Sequence, residues 1–428
     1  MDKIINIFKP TKENGVQKKS KISPTIQLTL NLLKQYINDP NKEIQQLIAE
    51  ASQCEIKKQN RLFIWLLFLN IIPYNKPKEW NNIIYDLRSD FLNSRNSYFN
   101  EDITNFIKTQ ATKGSEEYET LKKKLSQEDY EILSIIKLDI ARTHQTLSLF
   151  TEQSTKETLI NVLFIYCKNN TDLGYNQGMN EIVALLYRVL YQKARIHNNS
   201  ISDDITFLYD LLYTKDQTFF EADLYTIFST VMKKGLHSFF SYSQQKYSHS
   251  LSKMNDQERL QLTKEIIEKS DDSEIRKRIY SLFYIELKKF DSEIFNLVNG
   301  VADPDLFLLR WMLCLFTREF DVEQVLPVWD IIFAFEFFEF HYQKNTLRKK
   351  THLNFAEYIC LSMIEYIKKD ILKSNDNTII LSTIMHFPIK SNVELIINEA
   401  IKISNKFYKC NIFKEKGLFG SIKLRFKD

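Results

Sequence analysis

No proline falls between Pro77 and Pro304 in this chain of 428 residues; the rest are Pro10, Pro24, Pro40, Pro73, Pro327 and Pro388. Proline removes a backbone donor and breaks a helix, so long helices are the simplest use of a stretch without it. Glycine is as scarce as proline, at 8 residues. Together they reach about a third of the share, roughly 12%, found in an average chain. Collagen-like and low-complexity architectures are excluded. An all-β chain is disfavoured too, because it needs a turn signal roughly every 8–12 positions. Apolar residues at 44% and aromatics at 13% are ample for a large core.

Apolar spacing predicts helices over 25–50, interrupted at Pro40, over 51–72 up to Pro73, and over 80–110. Residues 111–130 are highly charged and read as a surface connection with helical propensity. Helical patterning resumes at 131–142. Residues 155–168 are apolar nearly all round, which marks a central helix. That helix ends near Asn169-Asn170 and Gly174, and another starts over 178–195. Residues 195–204 read as a polar loop, 205–240 as aromatic-rich helix, and 241–275 as a polar, partly helical surface excursion. Helices return at 276–335, 353–373 and 391–407, the last two flanking Phe387-Pro388. Convincing period-2 runs and repeats of roughly 33–45 residues are absent. The expected class is all-α.

Lys and Arg number 58 against 54 Asp and Glu, a net charge of +4 that does not predict nucleic-acid binding. The basic excess is clearest at 9–21 and 414–428, within expected tails at 1–24 and 409–428. These read as solvated tails, and peripheral contact with an anionic endomembrane surface stays open. Cys54, Cys167, Cys314, Cys360 and Cys410 form no CxxC, and the histidines form no HExxH, so a zinc or redox site is disfavoured. The N-terminus lacks a signal-peptide pattern. The longest apolar run, Leu62 to Ile72, is shorter than the roughly 20 residues that span a bilayer. A cytoplasmic chain is expected.

GxxxxGK[ST], GxGxxG and GxSxG are absent, which argues against a stand-alone kinase or hydrolase. Two short segments stand out. In Ile136-Lys137-Leu138-Asp139-Ile140-Ala141-Arg142, Asp139 and Arg142 sit at i,i+3 on one helix face. In Gly174-Tyr175-Asn176-Gln177-Gly178, a glycine-poor chain places two glycines around one glutamine, between two apolar helices. Such spending of glycine suits a backbone that turns tightly or is closely approached. Alone, either segment reads as a surface ion pair or an ordinary loop.

Their order changes that reading. RxxxW occurs as Arg61 to Trp65, IxxDxxR as Ile136 to Arg142, and YxQG as Tyr175 to Gly178. Glu221-Ala222-Asp223, Leu309 to Phe320 and Val328-Trp329-Asp330 follow. With these motifs the chain resembles the TBC-domain family, the GTPase-activating proteins for Rab-type small GTPases. The resemblance covers about residues 50–408, beyond a helical extension at 25–49, and implies two packed helical subdomains forming a groove. It implies as partner a Rab in its GTP form and a role in vesicle trafficking. The chain would bind no cofactor, since GTP and Mg²⁺ belong to the partner, and would be no enzyme by itself. It assigns Arg142 as an arginine finger and Gln177 as a glutamine finger, both supplied in trans. Asp139 would orient Arg142 or a neighbouring element, and Tyr175 and Gly178 would shape the glutamine loop. Arg61 and Trp65 are expected to be structural, as are Arg310, Trp311 and Trp329-Asp330. After Arg142-Thr143 the family often continues with an aromatic and a proline. Here the chain reads His144-Gln145-Thr146, so the loop is expected to sit differently. The alternative is a catalytically silent TBC scaffold that binds a Rab or a trafficking complex.

Overall fold

The computed structural model describes residues 24–191, 204–213, 216–240, 256–268, 274–342, 353–374, 376–388 and 390–408. Both expected tails (except Pro24), nearly all of the loop at 195–204 and most of 241–275 lie outside the described residues. The principal helices are α1 Pro24–Asn38, α2 Pro40–Ser52, α3 Arg61–Phe68, α4 Trp80–Tyr98, α5 Glu101–Lys108, α6 Gln127–Arg142 and α7 Gln153–Asn169. They continue with α8 Met179–Leu190, α9 Gln217–Val231, α10 Pro304–Leu313, α11 Val322–Tyr342, α12 Phe355–Leu372 and α13 Val393–Tyr408. No strand occurs among the described residues.

Local chemistry sets many of the boundaries. Asp39 accepts a bond from the Lys42 N–H, and Pro40 stands in the first turn, where its missing donor costs nothing. Asn100 does the same for the Ile103 N–H, which splits the expected helix over 80–110 in two. Ser126 caps α6 through the Asp129 N–H.

The expected helix over 51–72 is also broken. Cys54 takes φ +58° and the Glu55 N–H returns to the Glu50 carbonyl at 2.9 Å, closing α2 in a Schellman-type end. Helix α3 then runs for only 8 residues and closes the same way. Asn70 is at φ +56°, and the Ile71 N–H reaches the Leu66 carbonyl at 2.9 Å. All of its side chains are buried. A helix this short is not stable alone, so burial rather than propensity holds it. Pro327 lies inside α11, a helix whose middle is buried on nearly every side.

The central helix is α7, with an unbroken buried run from Thr158 to Cys167. It packs against α4, α6, α8 and α9. One apolar cluster runs from Ile26 to Ile403, and all four tryptophans are 0% exposed within it. The segment expected as an extension shares this core, with α2 packed on α11. The last helix, α13, packs along α12.

Some of the polar side chains buried in this core pair across helices. Arg88 grips Asp223 with Nε and Nη2 at 2.9 and 2.7 Å, joining α4 to α9. Glu221 accepts the Asn161 amide at 2.9 Å. Glu221 and Asp223 of that segment thus tie α9 to its neighbours.

Candidate functional site

Helix α6 ends at Arg142, a favourable place for a cation at the negative end of the helix dipole. The guanidinium is 54% exposed, whereas Asp139 is 4% exposed. Arg142 Nη2 donates to Asp139 Oδ1 at 2.6 Å. The other oxygen of the same carboxylate, Oδ2, accepts the Tyr175 hydroxyl at 2.8 Å. Asp139 is therefore not a solvated surface partner. It is a buried carboxylate that holds the arginine on one side and the glutamine loop on the other. Burial, followed by the charge of Asp139, pushes the Tyr175 phenol far above its ordinary pKa, so it stays a donor.

The loop carrying Gln177 is a tight turn. The Met179 N–H returns to the Asn176 carbonyl at 3.2 Å, and Gly178 takes φ +109°. A positive φ at the third position is what a type II turn demands, and glycine adopts it without strain. A Cβ at Gly178 would lie 3.3 Å from Cys314 Sγ and 3.4 Å from Phe240 Cε1. The glycine thus serves both dihedral and space. Gly174, at φ +63°, has open surroundings and answers only to the dihedral. Asn176 and Gly178 are buried while Gln177 between them is exposed, so the turn displays one side chain to solvent.

Two residues that sequence reasoning passed over complete the link. Asn180 Oδ1 accepts the Gly178 N–H at 3.0 Å, and its Nδ2 donates to Thr143 Oγ1 at 2.9 Å. Thr143 Oγ1 in turn donates to the Asp139 carbonyl at 2.7 Å. The Tyr175–Asp139 and Asn180–Thr143 bonds join two segments that are not adjacent in sequence. The only available signal for Asn180 was its place in the first turn of α8, where a short amide side chain folds back on a nearby N–H. Asn176, read as the variable position of YxQG, donates to the Leu173 carbonyl at 3.1 Å and builds the turn.

His144 takes φ +43°, and the Leu147 N–H bonds to its carbonyl at 2.9 Å. Its ring lies 5.3 Å from Phe150, with Nε2 3.3 Å from Glu181 Oε2. Burial lowers the His144 pKa, against the pull of Glu181. Arg318 Nε approaches the other Glu181 oxygen at 3.8 Å.

Arg61 and Trp65 stand apart from this site. Both reach Asp330, which is 0% exposed. Arg61 Nε and Nη2 each lie 3.0 Å from its carboxylate, and Trp65 Nε1 donates to it at 2.7 Å. Their link to the glutamine loop is indirect: α3 packs on α8, the helix that starts after Gly178. Arg310 pairs with Glu319 at 2.7 Å, and Trp329 Nε1 donates to the Leu315 carbonyl at 2.8 Å. Leu315 and Phe316 have φ +41° and +65°, so this junction bends sharply behind the loop. Cys314 there is an inert thiol, its pKa pushed up to about 12 by burial and then by Glu319.

Among the described residues, no cluster of His, Cys, Asp and Glu could hold a metal, and no helix is long and apolar enough to cross a membrane.

Comparison with known proteins agrees with this architecture. Residues 58–372 match the family model of the Rab-GTPase-TBC domain. TBC1 domain family member 5 of Homo sapiens is 28% identical over 354 residues, covering 80% of this chain and 41% of that protein. The GTPase-activating protein GYP1 of Saccharomyces cerevisiae is 22% identical over 323 residues, covering 74% of this chain and 41% of that one. The chain thus spans about two fifths of the length of these curated relatives. The crystal structure of the Ypt/Rab-GAP domain of Gyp1p superposes with a TM-score of 0.58 at 18% identity, covering 90% of this chain and all of that one. That likeness establishes the fold. With three quarters of its length matched by the family model, the chain belongs to the Rab-GTPase-TBC domain family.

Proposed function

We propose that this chain accelerates GTP hydrolysis on a Rab-type small GTPase in its GTP form, and so regulates vesicle trafficking. Arg142 and Gln177 act in trans. The observation that carries the reading is the Asp139 carboxylate, whose two oxygens bind Arg142 and Tyr175 at 2.6 and 2.8 Å. One buried group thereby couples the exposed arginine to the loop of the exposed glutamine.

The chemistry suits that pair. Hydrolysis needs an attacking water held in line and charge on the transferring phosphoryl group neutralised. A guanidinium is permanently charged and binds phosphate oxygens in a bidentate way. A glutamine amide both donates to and accepts from a water. GTP and Mg²⁺ are the partner's, so this chain contributes residues to a reaction centre without binding nucleotide itself. It works in the cytoplasm, at the membrane where its GTPase resides. One of its relatives is named as a GTPase-activating protein, which supports the reading.

The test is single-turnover hydrolysis by a panel of GTP-loaded Rab-type GTPases. Arg142→Ala is expected to cut the stimulated rate by about 10³-fold or more, an arginine in trans being worth roughly 10³–10⁵. Circular dichroism should show it folded but less stable, because the Asp139 carboxylate, 4% exposed, is left with the Tyr175 hydroxyl as its partner. Gln177→Ala should also fail to stimulate. Equal stimulation by Arg142→Ala would sink the proposal. Binding without stimulation by the wild-type chain would make it a silent scaffold.

A further inference from the structure

Helix α6 carries more than the arginine. Its inner face is Leu133, Ile136, Asp139 and Ile140, all buried. Its outer face places Glu131, Ile135, Leu138 and Arg142 at i, i+4, i+7 and i+11, a single line along the helix. A surface helix normally turns polar residues to water on such a line. Here its middle is apolar: Ile135 is 50% exposed and Leu138 is 65% exposed. Single exposed leucines are ordinary. These two are adjacent on one face and lead to Arg142. Leu138 is also the most exposed large apolar side chain among the described residues.

The neighbouring side chains leave the stripe uncovered. Lys137, beside Leu138 in sequence, is drawn inward. Its Nζ donates to the carbonyls of Phe106, Ile107 and Thr109 at 2.5, 3.2 and 3.0 Å, closing the end of α5. Glu131, at the far end of the line, is engaged by Gln127 Nε2 at 2.5 Å. The stripe therefore has a polar rim at one end and a cation at the other. At about 1.5 Å per residue, Leu138 and Ile135 lie roughly 6 and 10 Å along the axis from Arg142.

We propose that Ile135 and Leu138 form the docking stripe for an apolar surface of the GTP-bound small GTPase, next to its nucleotide. The proposal rests on Arg142 being the finger, since the stripe is continuous with it. A GTPase that presents its phosphates to Arg142 must lay the flanking surface along α6. Two apolar side chains already in water there lose unfavourable hydration on contact. The polar rim would exclude solvent around them. Their task is affinity and choice of partner, whereas Arg142 and Gln177 act on the reacting groups.

The experiment compares the wild-type chain with Leu138→Asp, Ile135→Asp and Leu138→Met. The control is Leu395→Asp, on α13 and 57% exposed. KM and kcat are measured with the panel GTPases loaded with GTP, and Kd with the same proteins holding a non-hydrolysable GTP analogue. Thermal melts check folding, which exposed positions should tolerate. Expected is a KM or Kd raised about tenfold or more by either aspartate, the size of a contact that matters. The kcat should fall far less, Leu138→Met should keep more of the affinity than Leu138→Asp, and Leu395→Asp should resemble wild type. Unchanged KM in both aspartate variants, with wild-type stimulation intact, overturns the stripe and leaves the activator reading standing. A loss confined to kcat overturns it too, since Leu138 would then act through Arg142. If the wild-type chain binds without stimulating, the activator reading falls, and Kd decides the stripe either way. If no panel GTPase binds, both fall.

Discussion

Removing the charge of Asp330 isolates the support behind the site. The carboxylate is 0% exposed and meets Arg61 Nε, Arg61 Nη2 and Trp65 Nε1 at 3.0, 3.0 and 2.7 Å. Arg61, itself 6% exposed, has one further acceptor, the Ile56 carbonyl at 3.3 Å. Asp330→Ala leaves a buried guanidinium facing one carbonyl, and a lone buried partner of this kind costs about 3–5 kcal/mol. Arg61→Met leaves the carboxylate with the indole alone and should cost a similar amount. Against a total stability of about 5–15 kcal/mol, either loss is large. The double variant, Arg61→Met with Asp330→Leu, removes both charges, orphans the Trp65 N–H and gives up the long 3.3 Å bond to the Ile56 carbonyl, a penalty of about 1–3 kcal/mol. The two single losses should therefore fail to add by at least about 3 kcal/mol. Urea unfolding followed by circular dichroism measures all four chains. Additive losses, or single losses under about 1 kcal/mol, would refute the argument that this pair is a mutually dependent buried unit. Burial pushes the Asp330 carboxyl above its ordinary pKa, and Arg61 and then Trp65 pull it down. With Arg61 gone, the folded state should bind a proton before the unfolded one does. The Arg61→Met chain should then gain stability as pH falls toward the unfolded value near 3.8.

Three further outcomes are expected. Tyr175→Phe deletes the hydroxyl bound to Asp139 at 2.8 Å. It should lower stimulated hydrolysis about 10- to 100-fold, and the melt should fall as well, since a bond to a charged group is worth roughly 1.5–3 kcal/mol of stability. Gly178→Ala forces a side chain into φ +109° and against Cys314 Sγ at 3.3 Å. A strain of about 1–3 kcal/mol should reach activity before it reaches the fold, with Gly178→Val worse; full activity in the valine variant would count against a shaped loop. His341, whose Nε2 lies 2.6 Å from Asn70 Oδ1, has its pKa lowered from 6.5 to about 4 by burial and then by Lys234. Between pH 6.5 and about 4 the unfolded chain takes up a proton that the folded one refuses, so stability should fall as pH falls. The slope is at most about 1.4 kcal/mol per pH unit, and less here because the ring is partly exposed. His341→Phe should flatten it.

Much of the fold was legible because helices obey short-range rules. Proline positions and apolar spacing act within a few residues, and they place α1, α2 and α7 near their observed bounds, whereas α6 starts at Gln127 rather than 131 and α8 ends at Leu190 rather than 195. One misread stretch, 51–72, failed where Cys54 and Asn70 take left-handed conformations usually given to glycine. Nothing in residue type alone announces a cysteine at a positive φ. The ordered motifs likewise singled out Arg142 and Gln177, since each motif is local.

What the sequence determined by itself was an all-α chain, its main helices, and which short segments carry unusual chemistry. What only the tertiary structure decided was how those segments meet. Asp139 and Tyr175 are 36 residues apart, and Arg61 and Asp330 are 269 apart. Whether a carboxylate is a solvated surface ion or a buried bridge depends on what covers it. That cover comes from packing between distant helices, which no pattern of neighbouring residues encodes. The same holds in reverse for Ile135 and Leu138: apolar residue type does not say whether a side chain is covered, and only the packed structure leaves them in water beside Arg142.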